Sequence, residues 1–300
     1  MADSDNSLPN LDPFRNTTYS MYDRLVELGE IKGGIEGQPT GFDTLDGILG
    51  GLKPGEVTLL AGRPSCGKTS LALSISLSVA THKDSTVVIF TPGNSSLQIV
   101  QRLVCTDACV DANRAATGRL NEDEWTALAL NVDNIYDRRI YIDDTPQLDI
   151  SYITERCSSI SQQQSLTLVV INGLELMSAE SAKSTRNDEL TEIVRDLKVL
   201  ARSLNLPLLV TCGIGRTYDR RPRLSDLPGW GTIEELVDNV IFLHTTGSAE
   251  IEASSESLHE RHEAFLIVAK NANGPSGAIR MPFKVIARKF IDPTKAVTST

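Results

Sequence analysis

Residues 62–69 read Gly62-Arg63-Pro64-Ser65-Cys66-Gly67-Lys68-Thr69, the complete pattern of a phosphate-binding loop, or P-loop. Its glycines let backbone N–H groups come close to a phosphate, and the positive end of the helix that follows adds to the attraction. In this pattern the lysine reaches the β and γ phosphates and the threonine hydroxyl binds Mg²⁺. The whole stretch is therefore predicted to bind ATP or ADP, with Lys68 at the phosphates and Thr69 at the metal ion.

The segments on either side of this loop predict the strand and the helix that a P-loop requires. Residues 57–61 are apolar and partly β-branched, as in a buried strand, and residues 70–80 alternate small and apolar side chains, as in a buried helix. A strand, a glycine-rich loop and a helix in this order distinguish a P-loop from a chance glycine-rich turn beside a lysine.

From Gly41 onward, predicted strands alternate with predicted helices. Several strand candidates are continuous apolar runs, which is typical of a parallel sheet covered on both faces. The pattern predicts an α/β fold with a mostly parallel central sheet and helices on both faces. The last two candidates lack a long helix between them, so we expect an antiparallel edge there. The candidates are residues 57–61, 87–91, 140–142, 166–171, 206–211, 240–244, 264–269 and 279–285.

Composition and charge are those of a soluble globular chain. The 300 residues are 40% hydrophobic and 23% charged, and no apolar run approaches the roughly 18–20 residues that a membrane span requires. The five cysteines are scattered and no signal peptide opens the chain, which predicts a reducing, cytoplasmic compartment. The formal net charge of −10 argues against a protein that coats DNA, but it does not exclude a local basic groove that binds DNA.

Residues 19–34 contain a short helical stripe whose packing partner is not evident from the sequence. Met21, Tyr22, Leu25 and Leu28 recur at helical spacing. The pattern leaves two interpretations open, a helix packed on the chain's own core or a docking helix for a neighbouring subunit. We predict a disordered arm at residues 1–18, the main domain at residues 35–290 and a tail at residues 291–300.

Several segments, in their order along the chain, resemble those of one family. They are Thr40-Gly41-Phe42-Asp43-Thr44-Leu45-Asp46, Gly50-Gly51-Leu52-Lys53-Pro54-Gly55, the P-loop, Gly118-Arg119-Leu120, Tyr141-Ile142-Asp143-Asp144-Thr145 and Asn273-Gly274-Pro275. From about residue 19 to about residue 290, the chain resembles the C-terminal, RecA-like motor domain of DnaB-type replicative DNA helicases. The first two of these segments are shared with RadA and KaiC relatives, whereas the P-loop with its Arg63-Pro64-Ser65, the Gly118-Arg119-Leu120 segment and the Ile142-Asp143-Asp144-Thr145 stretch favour the DnaB type.

The resemblance implies a RecA-like P-loop NTPase fold that uses ATP or ADP with Mg²⁺ and assembles into a ring, which is a hexamer in the family. The implied partners are further copies of this chain or an active DnaB-type helicase, together with single-stranded DNA and no membrane. The resemblance also implies that the helix at residues 19–34 docks on the adjacent subunit, which favours the docking interpretation.

The same comparison places other residues where the family has its catalytic groups. Gly93 replaces the glutamate that polarises the attacking water, Asn172 replaces the aspartate that holds Mg²⁺, and Gly213 replaces the amide that senses the γ phosphate. Lys270 matches the lysine that acts in trans on a neighbouring nucleotide, but Ala272 replaces the arginine finger beside it. Because an amide lacks the charge that holds a hard cation, we expect weak Mg²⁺ binding at Thr69 and Asn172.

The DNA-facing loop of the family also differs here, because Ser225-Asp226-Leu227 leads into Pro228-Gly229-Trp230 instead of an Arg-Glu pair. Trp230 is a candidate to stack on a base, and the alternative is a hydrophobic plug. A basic cluster beside the loop is either a set of phosphate contacts or a solvated loop. Its members are Arg216, Arg220, Arg221 and Arg223.

These departures predict a nucleotide-binding, DnaB-helicase-like protein of DNA replication whose catalysis is degenerate and which assembles with itself or with an active helicase. A positioned general base contributes ~10²–10⁴ in rate and an arginine finger ~10³–10⁵, so hydrolysis is expected to be impaired or lost. The alternatives are an active hexameric helicase that moves on single-stranded DNA, and a RecA-class ATPase of recombination or signalling. Another carboxylate could also rescue the site: Asp143, Asp144 or Glu175, although we expect Glu175 to face elsewhere.

Overall fold

The computed structural model describes residues 14–30, 35–179, 185–215, 220–245, 261–284 and 286–296. The chain divides into two units, Met1–Glu36 and Gly37–Thr300, and the second contains one nine-stranded sheet. The strands are β1 (Val57–Gly62), β2 (Thr86–Phe90), β3 (Ile140–Asp143), β4 (Leu166–Asn172), β5 (Leu208–Gly213), β6 (Asn239–Thr245), β7 (Arg261–Asn271), β8 (Gly277–Lys284) and β9 (Lys289–Phe290).

The strand order in the sheet is β3-β2-β4-β5-β1-β6-β7-β8-β9. Strands β1 to β6 pair in parallel, and β7, β8 and β9 add an antiparallel edge, so both sequence predictions are confirmed. Gly62 lies beside Gly213 in the β1–β5 register, and Asn172 lies beside Thr211 in the β4–β5 register. The carboxyl ends of β1, β4 and β5 therefore meet at one edge of the sheet, where open α/β sheets bind their ligands.

Helices of the second unit surround this sheet, and several of them begin at a side-chain cap. The Ser95 hydroxyl accepts a hydrogen bond from the backbone N–H of Gln98, and the Gln98 side chain accepts from the backbone N–H of Ser95, which fixes the start of one helix. None of the described helices is long and apolar enough to cross a membrane. The helices are α1 (Phe14–Glu30), α2 (Asp43–Leu49), α3 (Lys68–Val79), α4 (Ser96–Asp107), α5 (Ala112–Ala116), α6 (Glu122–Ile135), α7 (Ile150–Ser161), α8 (Arg186–Leu204), α9 (Thr232–Leu236) and α10 (Pro293–Ala296).

Two apolar cores lie on opposite faces of the sheet. Val169 and Ile171 point into one core and Leu168 and Val170 into the other, because successive strand residues face opposite sides. Side chains of α7, α8 and α9 complete the first core, and side chains of α2, α3 and α4 complete the second. The expected arrangement of helices on both faces of the sheet is therefore confirmed.

The prediction that residues 1–18 form a disordered arm is wrong for residues 14–18, because α1 begins at Phe14 rather than at residue 19. The Thr18 hydroxyl donates a 2.7 Å hydrogen bond to the Phe14 carbonyl oxygen, four residues earlier, as a helical turn allows. Residues 1–13 and 31–34 lie outside the described part of the chain, so the rest of the arm and the end of the linker stay predictions.

The predicted tail at residues 291–300 is also wrong in its first part. Asp292 is buried, and its carboxylate accepts hydrogen bonds from the backbone N–H groups of Thr44, at 3.2 Å, and Thr294, at 2.9 Å. The bond from Thr44 attaches the segment to the start of α2, 248 residues earlier. Residues 291–296 therefore belong to the second unit, and residues 297–300 lie outside the described part.

Candidate functional site

The P-loop connects the end of β1 to the start of α3, as the sequence predicts. Gly67 has a φ of 101°, which a side chain would strain, and it precedes the first residue of the helix. A Cβ atom at Gly62 would lie 2.7 Å from the carbonyl oxygen of Leu243. Both glycines are therefore required by this backbone, which leaves the N-terminal N–H groups of α3 at the carboxyl edge of the sheet.

Lys68 folds back over the loop that precedes it. Its ammonium group donates hydrogen bonds to the carbonyl oxygens of Gly62 and Arg63, both at 2.9 Å. These are ordinary hydrogen bonds from a charged donor, and phosphate oxygens can replace the carbonyl oxygens as its acceptors. The loop backbone, the start of α3 and this ammonium group fit a polyphosphate.

Asn172, at the end of β4, is the centre of a buried hydrogen-bond network beside the loop. Its amide oxygen accepts from the hydroxyl groups of Thr69, at 2.9 Å, and Thr211, at 3.2 Å. Its amide nitrogen donates to the hydroxyl group of Thr91, at 3.3 Å. Thr69 and Asn172 therefore lie together beside the loop, joined by a hydrogen bond between two neutral groups. Neither side chain carries the charge that holds a hard divalent cation, and Mg²⁺ binding by these two residues stays a prediction.

Gly93 and Gly213 both lie against side chains of one short turn, Leu174–Leu176, which follows β4. A Cβ atom at Gly93 would lie 2.7 Å from Cδ1 of Leu176, and one at Gly213 would lie 3.1 Å from Oε1 of Glu175. The turn thus occupies the space beside both positions where the resemblance implies catalytic side chains.

Our expectation that Glu175 faces elsewhere is wrong. Its carboxylate accepts a 3.2 Å hydrogen bond from the backbone N–H of Gly213, at the end of β5. Sequence reasoning missed this contact because Glu175 and Gly213 are 38 residues apart. One feature of the sequence could have pointed to this contact: Glu175 lies three residues after Asn172, at a position where the family has a glutamine.

The family model for the DnaB-like helicase C-terminal domain matches residues 37–292, which include the P-loop, Asn172 and the Leu174–Leu176 turn. The chain belongs to this DnaB-like family. The replicative DNA helicase DnaC of Bacillus subtilis (strain 168) is 34% identical over 276 residues, which cover 90% of this chain and 60% of that protein. The replicative DNA helicase DnaB of Geobacillus stearothermophilus is also 34% identical, with the same coverage. The chain therefore spans about 60% of the length of these curated relatives.

Solved structures agree with this DnaB-like assignment. One solved ATPase domain has a TM-score of 0.83 and 26% identity, and the match covers 94% of this chain and 99% of that one. A structure of a DnaB-like replicative helicase and its interactions with primase has a TM-score of 0.79 and 25% identity, and the match covers 94% of this chain and 67% of that one. The RecA-like fold of the second unit is thus shared with known DnaB-like ATPase domains.

Two aspartates of the DnaB-like domain that could have rescued the site are bonded elsewhere. The Asp143 carboxylate accepts from the Tyr152 hydroxyl at 2.9 Å and from the backbone N–H of Thr145 at 3.0 Å. Asp144 accepts a 2.7 Å hydrogen bond from the backbone N–H of Ser96, at the start of α4. Both have local structural partners, which leaves Glu175 as the carboxylate in contact with the end of β5.

Lys270 of the DnaB-like domain is held by its own chain. Its ammonium group donates to the carbonyl oxygens of Glu234, at 2.6 Å, and Val237, at 2.7 Å, at the end of α9. Ala272 is exposed, and its backbone N–H bonds the carbonyl oxygen of Asp238 at 3.0 Å. A contact of Lys270 with a neighbouring nucleotide stays a prediction, and it would require these two hydrogen bonds to break.

The predicted DNA-contact residues are partly engaged within the DnaB-like domain. Arg220 forms a two-pronged ion pair with Asp226, and the hydrogen bonds from Arg220 hold the pKa of that carboxyl below its ordinary value. The guanidinium of Arg221 lies 5.1 Å from the centre of the Phe265 ring. Arg223 and Trp230 are exposed, so Trp230 plugs no cavity within the described residues. Arg216 lies outside the described part of the chain.

Proposed function

We propose that this DnaB-like domain binds ATP or ADP through residues 62–69 and turns it over very slowly. We propose further that it acts in DNA replication as a subunit that assembles with itself or with an active DnaB-type helicase. The observation behind this proposal is the combination of a complete P-loop with a neutral Asn172 and with Gly93 and Gly213 covered by the Leu174–Leu176 turn.

Nucleotide binding is supported by the groups that remain. Lys68 and the backbone of the loop supply the positive charge and the N–H donors that a polyphosphate requires. The Thr69 hydroxyl is the one P-loop group suited to Mg²⁺, and its neighbour Asn172 supplies an oxygen without a charge. We therefore propose a weakly held Mg²⁺ that would help to neutralise the phosphates when bound.

Slow turnover is supported by what surrounds the phosphate end of the site. The space beside Gly93 is filled by an apolar side chain, that of Leu176, which cannot accept a proton from water. Ala272 has no charge to place on a neighbouring nucleotide. Loss of a general base or of an arginine finger lowers the rate ~10²–10⁵-fold in related reactions. The residues at these positions here cannot take over either role.

We expect purified protein to hydrolyse ATP very slowly and single-stranded DNA to leave the rate unchanged. The physical reason is that Gly93 and Ala272 carry no charged side chain. Binding of DNA therefore cannot bring a complete set of catalytic groups into place. Phosphate release should be measured with and without an oligonucleotide, with a Lys68→Ala sample to set the background. Robust hydrolysis that DNA stimulates would contradict the proposal.

That contrary result would favour the second candidate, an active ATP-dependent helicase moving on single-stranded DNA. One observation favours this candidate: the Glu175 carboxylate lies at the end of β5, next to the P-loop strand. A carboxylate there could act as a general base if substrate binding moved it toward the attacking water. Single-stranded DNA would then pass over the loop that presents Arg223 and Trp230.

Assembly is supported by the exposed apolar side chains of α1. In the first unit, Tyr19 is 70% exposed, Tyr22 63% and Leu25 57%, and their spacing puts them on neighbouring turns of the helix. Such a stripe on one short helix is typical of an interface with another protein. The second unit offers a cavity of about 390 Å³ where a helix of another copy could pack, and apolar side chains such as Leu77 and Leu103 line it together with polar and charged ones such as Asp107.

Deleting residues 1–34 should release monomers from whatever oligomer the full chain forms. Each fully buried apolar side chain contributes ~1.5–3 kcal/mol, so three or four of them supply several kcal/mol before ordering costs. The mass in solution should be measured with and without ATP, by light scattering on a sizing column. Leu25→Asp should act in the same direction, whereas Asp23→Asn, an equally exposed polar change on the same helix, should not. A full chain that is monomeric with ATP and with candidate helicases would contradict this proposal.

A further inference from the structure

Two opposite charges lie at neighbouring strand ends in the nucleotide site. Gly62 ends β1 and pairs with Gly213, which ends β5. The Gly62 carbonyl oxygen accepts from the ammonium group of Lys68, at 2.9 Å, and from the backbone N–H of Ile214, at 3.1 Å. The backbone N–H of Gly213, one residue earlier, donates to the carboxylate of Glu175. Lys68 and Glu175 are therefore bonded to two glycines, Gly62 and Gly213, that lie beside each other at the ends of β1 and β5.

The neighbouring thiol of Cys212 supports this placement. Burial raises the pKa of Cys212 to about 12, and the nearby charges of Glu175 and Lys68 act on it in opposite directions. Both charges therefore act on the same buried sulfur atom at the end of β5.

The backbone that carries Glu175 is held in place by Arg186 and by a hydrogen bond within the turn. The Arg186 guanidinium, at the start of α8, donates 2.8 Å hydrogen bonds to the carbonyl oxygens of Glu175 and Met177. The Leu176 N–H donates to the Gly173 carbonyl oxygen at 2.9 Å. The backbone of the turn is thus fixed on both sides of Glu175, and the exposed carboxylate itself accepts the hydrogen bond from the Gly213 N–H.

We propose that Glu175 makes this site selective for nucleoside diphosphates over nucleoside triphosphates, an inference that rests on the proposed nucleotide binding. Lysine in a P-loop reaches the β and γ phosphates, so a γ phosphate would lie between Lys68 and the ends of β4 and β5. There it meets the negative charge of Glu175 as well as the positive charge of Lys68. The β phosphate of a diphosphate stays within the N–H groups of the loop, farther from Glu175.

The apolar side chain of Leu176 adds to the preference for a diphosphate over a triphosphate. Its Cδ1 atom lies 2.7 Å from where a Cβ atom of residue 93 would be, so it covers the end of β2 beside Glu175. An apolar side chain offers no hydrogen bond to the oxygens of a terminal phosphate, which lose water there without compensation. The turn therefore opposes a γ phosphate both by its charge and by its apolar surface.

The test is calorimetric titration of the full chain with Mg²⁺-ADP and with the Mg²⁺ complex of β,γ-imido ATP. We expect the wild type to bind ADP about tenfold more tightly, because one partly screened repulsion of this kind is worth roughly one decade in affinity. Glu175→Gln, which keeps the shape and removes the charge, should tighten the triphosphate analogue about tenfold and leave ADP nearly unchanged. Glu155→Gln, an exposed change on α7, should alter neither affinity.

Each outcome decides the inference. It is overturned if the wild type binds the triphosphate analogue as tightly as ADP, or if Glu175→Gln leaves the ratio of the two affinities unchanged. It is also overturned if Glu175→Gln weakens both nucleotides only when Mg²⁺ is present, because the carboxylate then belongs to the metal. If the wild type binds neither nucleotide, the proposed function itself fails. A shift confined to the triphosphate analogue supports the inference.

Discussion

Replacing Lys68 with alanine should abolish measurable nucleotide binding. The ammonium group is the charged side chain that folds over the loop, and it makes two hydrogen bonds to loop carbonyl oxygens that phosphate oxygens can take over. Hydrogen bonds with charged partners contribute about 1.5–3 kcal/mol each, so losing two of them predicts a loss in affinity of about 10²–10⁴. Calorimetry with ADP, the nucleotide expected to bind more tightly, gives the most sensitive measurement.

Two controls show whether the loss of nucleotide binding comes from the Lys68 side chain itself. Lys83→Ala removes an exposed lysine after α3 and should leave binding intact. Thermal unfolding without nucleotide should show whether Lys68→Ala disturbs the loop, since the side chain also holds two of its carbonyl groups. Equal affinities for wild type and a well-folded Lys68→Ala protein would mean that the nucleotide does not bind at the P-loop.

Restoring the missing catalytic groups should produce the second large effect, a faster ATP turnover by about 10²–10⁴, the range of a positioned general base. The restored protein combines Gly93→Glu, Asn172→Asp and Ala272→Arg. The restored protein also carries Leu176→Ala, which gives the new glutamate room, because Cδ1 of Leu176 lies 2.7 Å from a Cβ atom at position 93. We expect each single change to achieve less than the combination, because such groups act as a unit.

The surroundings of the three positions make these changes feasible. An aspartate at 172 would keep the hydrogen bonds from Thr69 and Thr211, and the Thr91 hydroxyl can rotate to donate to it. Ala272 is exposed, so an arginine fits there without disturbing the core. Phosphate release is the measurement, and Leu176→Ala alone is the matched control. If the combined variant is folded but no faster than wild type, these departures do not explain the slow turnover, and the proposed degeneracy is wrong.

The sequence alone predicted the class of fold and the family. The P-loop with its flanking strand and helix is a local pattern, because the residues that define it lie within residues 57–80. The continuous apolar runs predicted a covered parallel sheet, and the missing helix between the last strands predicted the antiparallel edge. These features follow from hydrophobic periodicity and glycine placement, which short stretches of sequence are enough to express.

Boundaries that depend on distant partners could not be read from the sequence. The last residues looked like a tail because their composition is polar, but the buried carboxylate of Asp292 caps a backbone group near the start of α2. Helix α1 begins five residues before the predicted start, because its first turn is closed by a backbone carbonyl and a hydroxyl rather than by an apolar stripe.

Only the tertiary structure decided what stands beside the lost catalytic positions. Gly93, Gly213 and the Leu174–Leu176 turn are separated by tens of residues, and they meet because β2, β4 and β5 are neighbours that end at one edge of the sheet. The sequence determined that Gly93 and Gly213 lack side chains. The contacts of Leu176 with one and of Glu175 with the other depend on strand order and register, which no local pattern encodes.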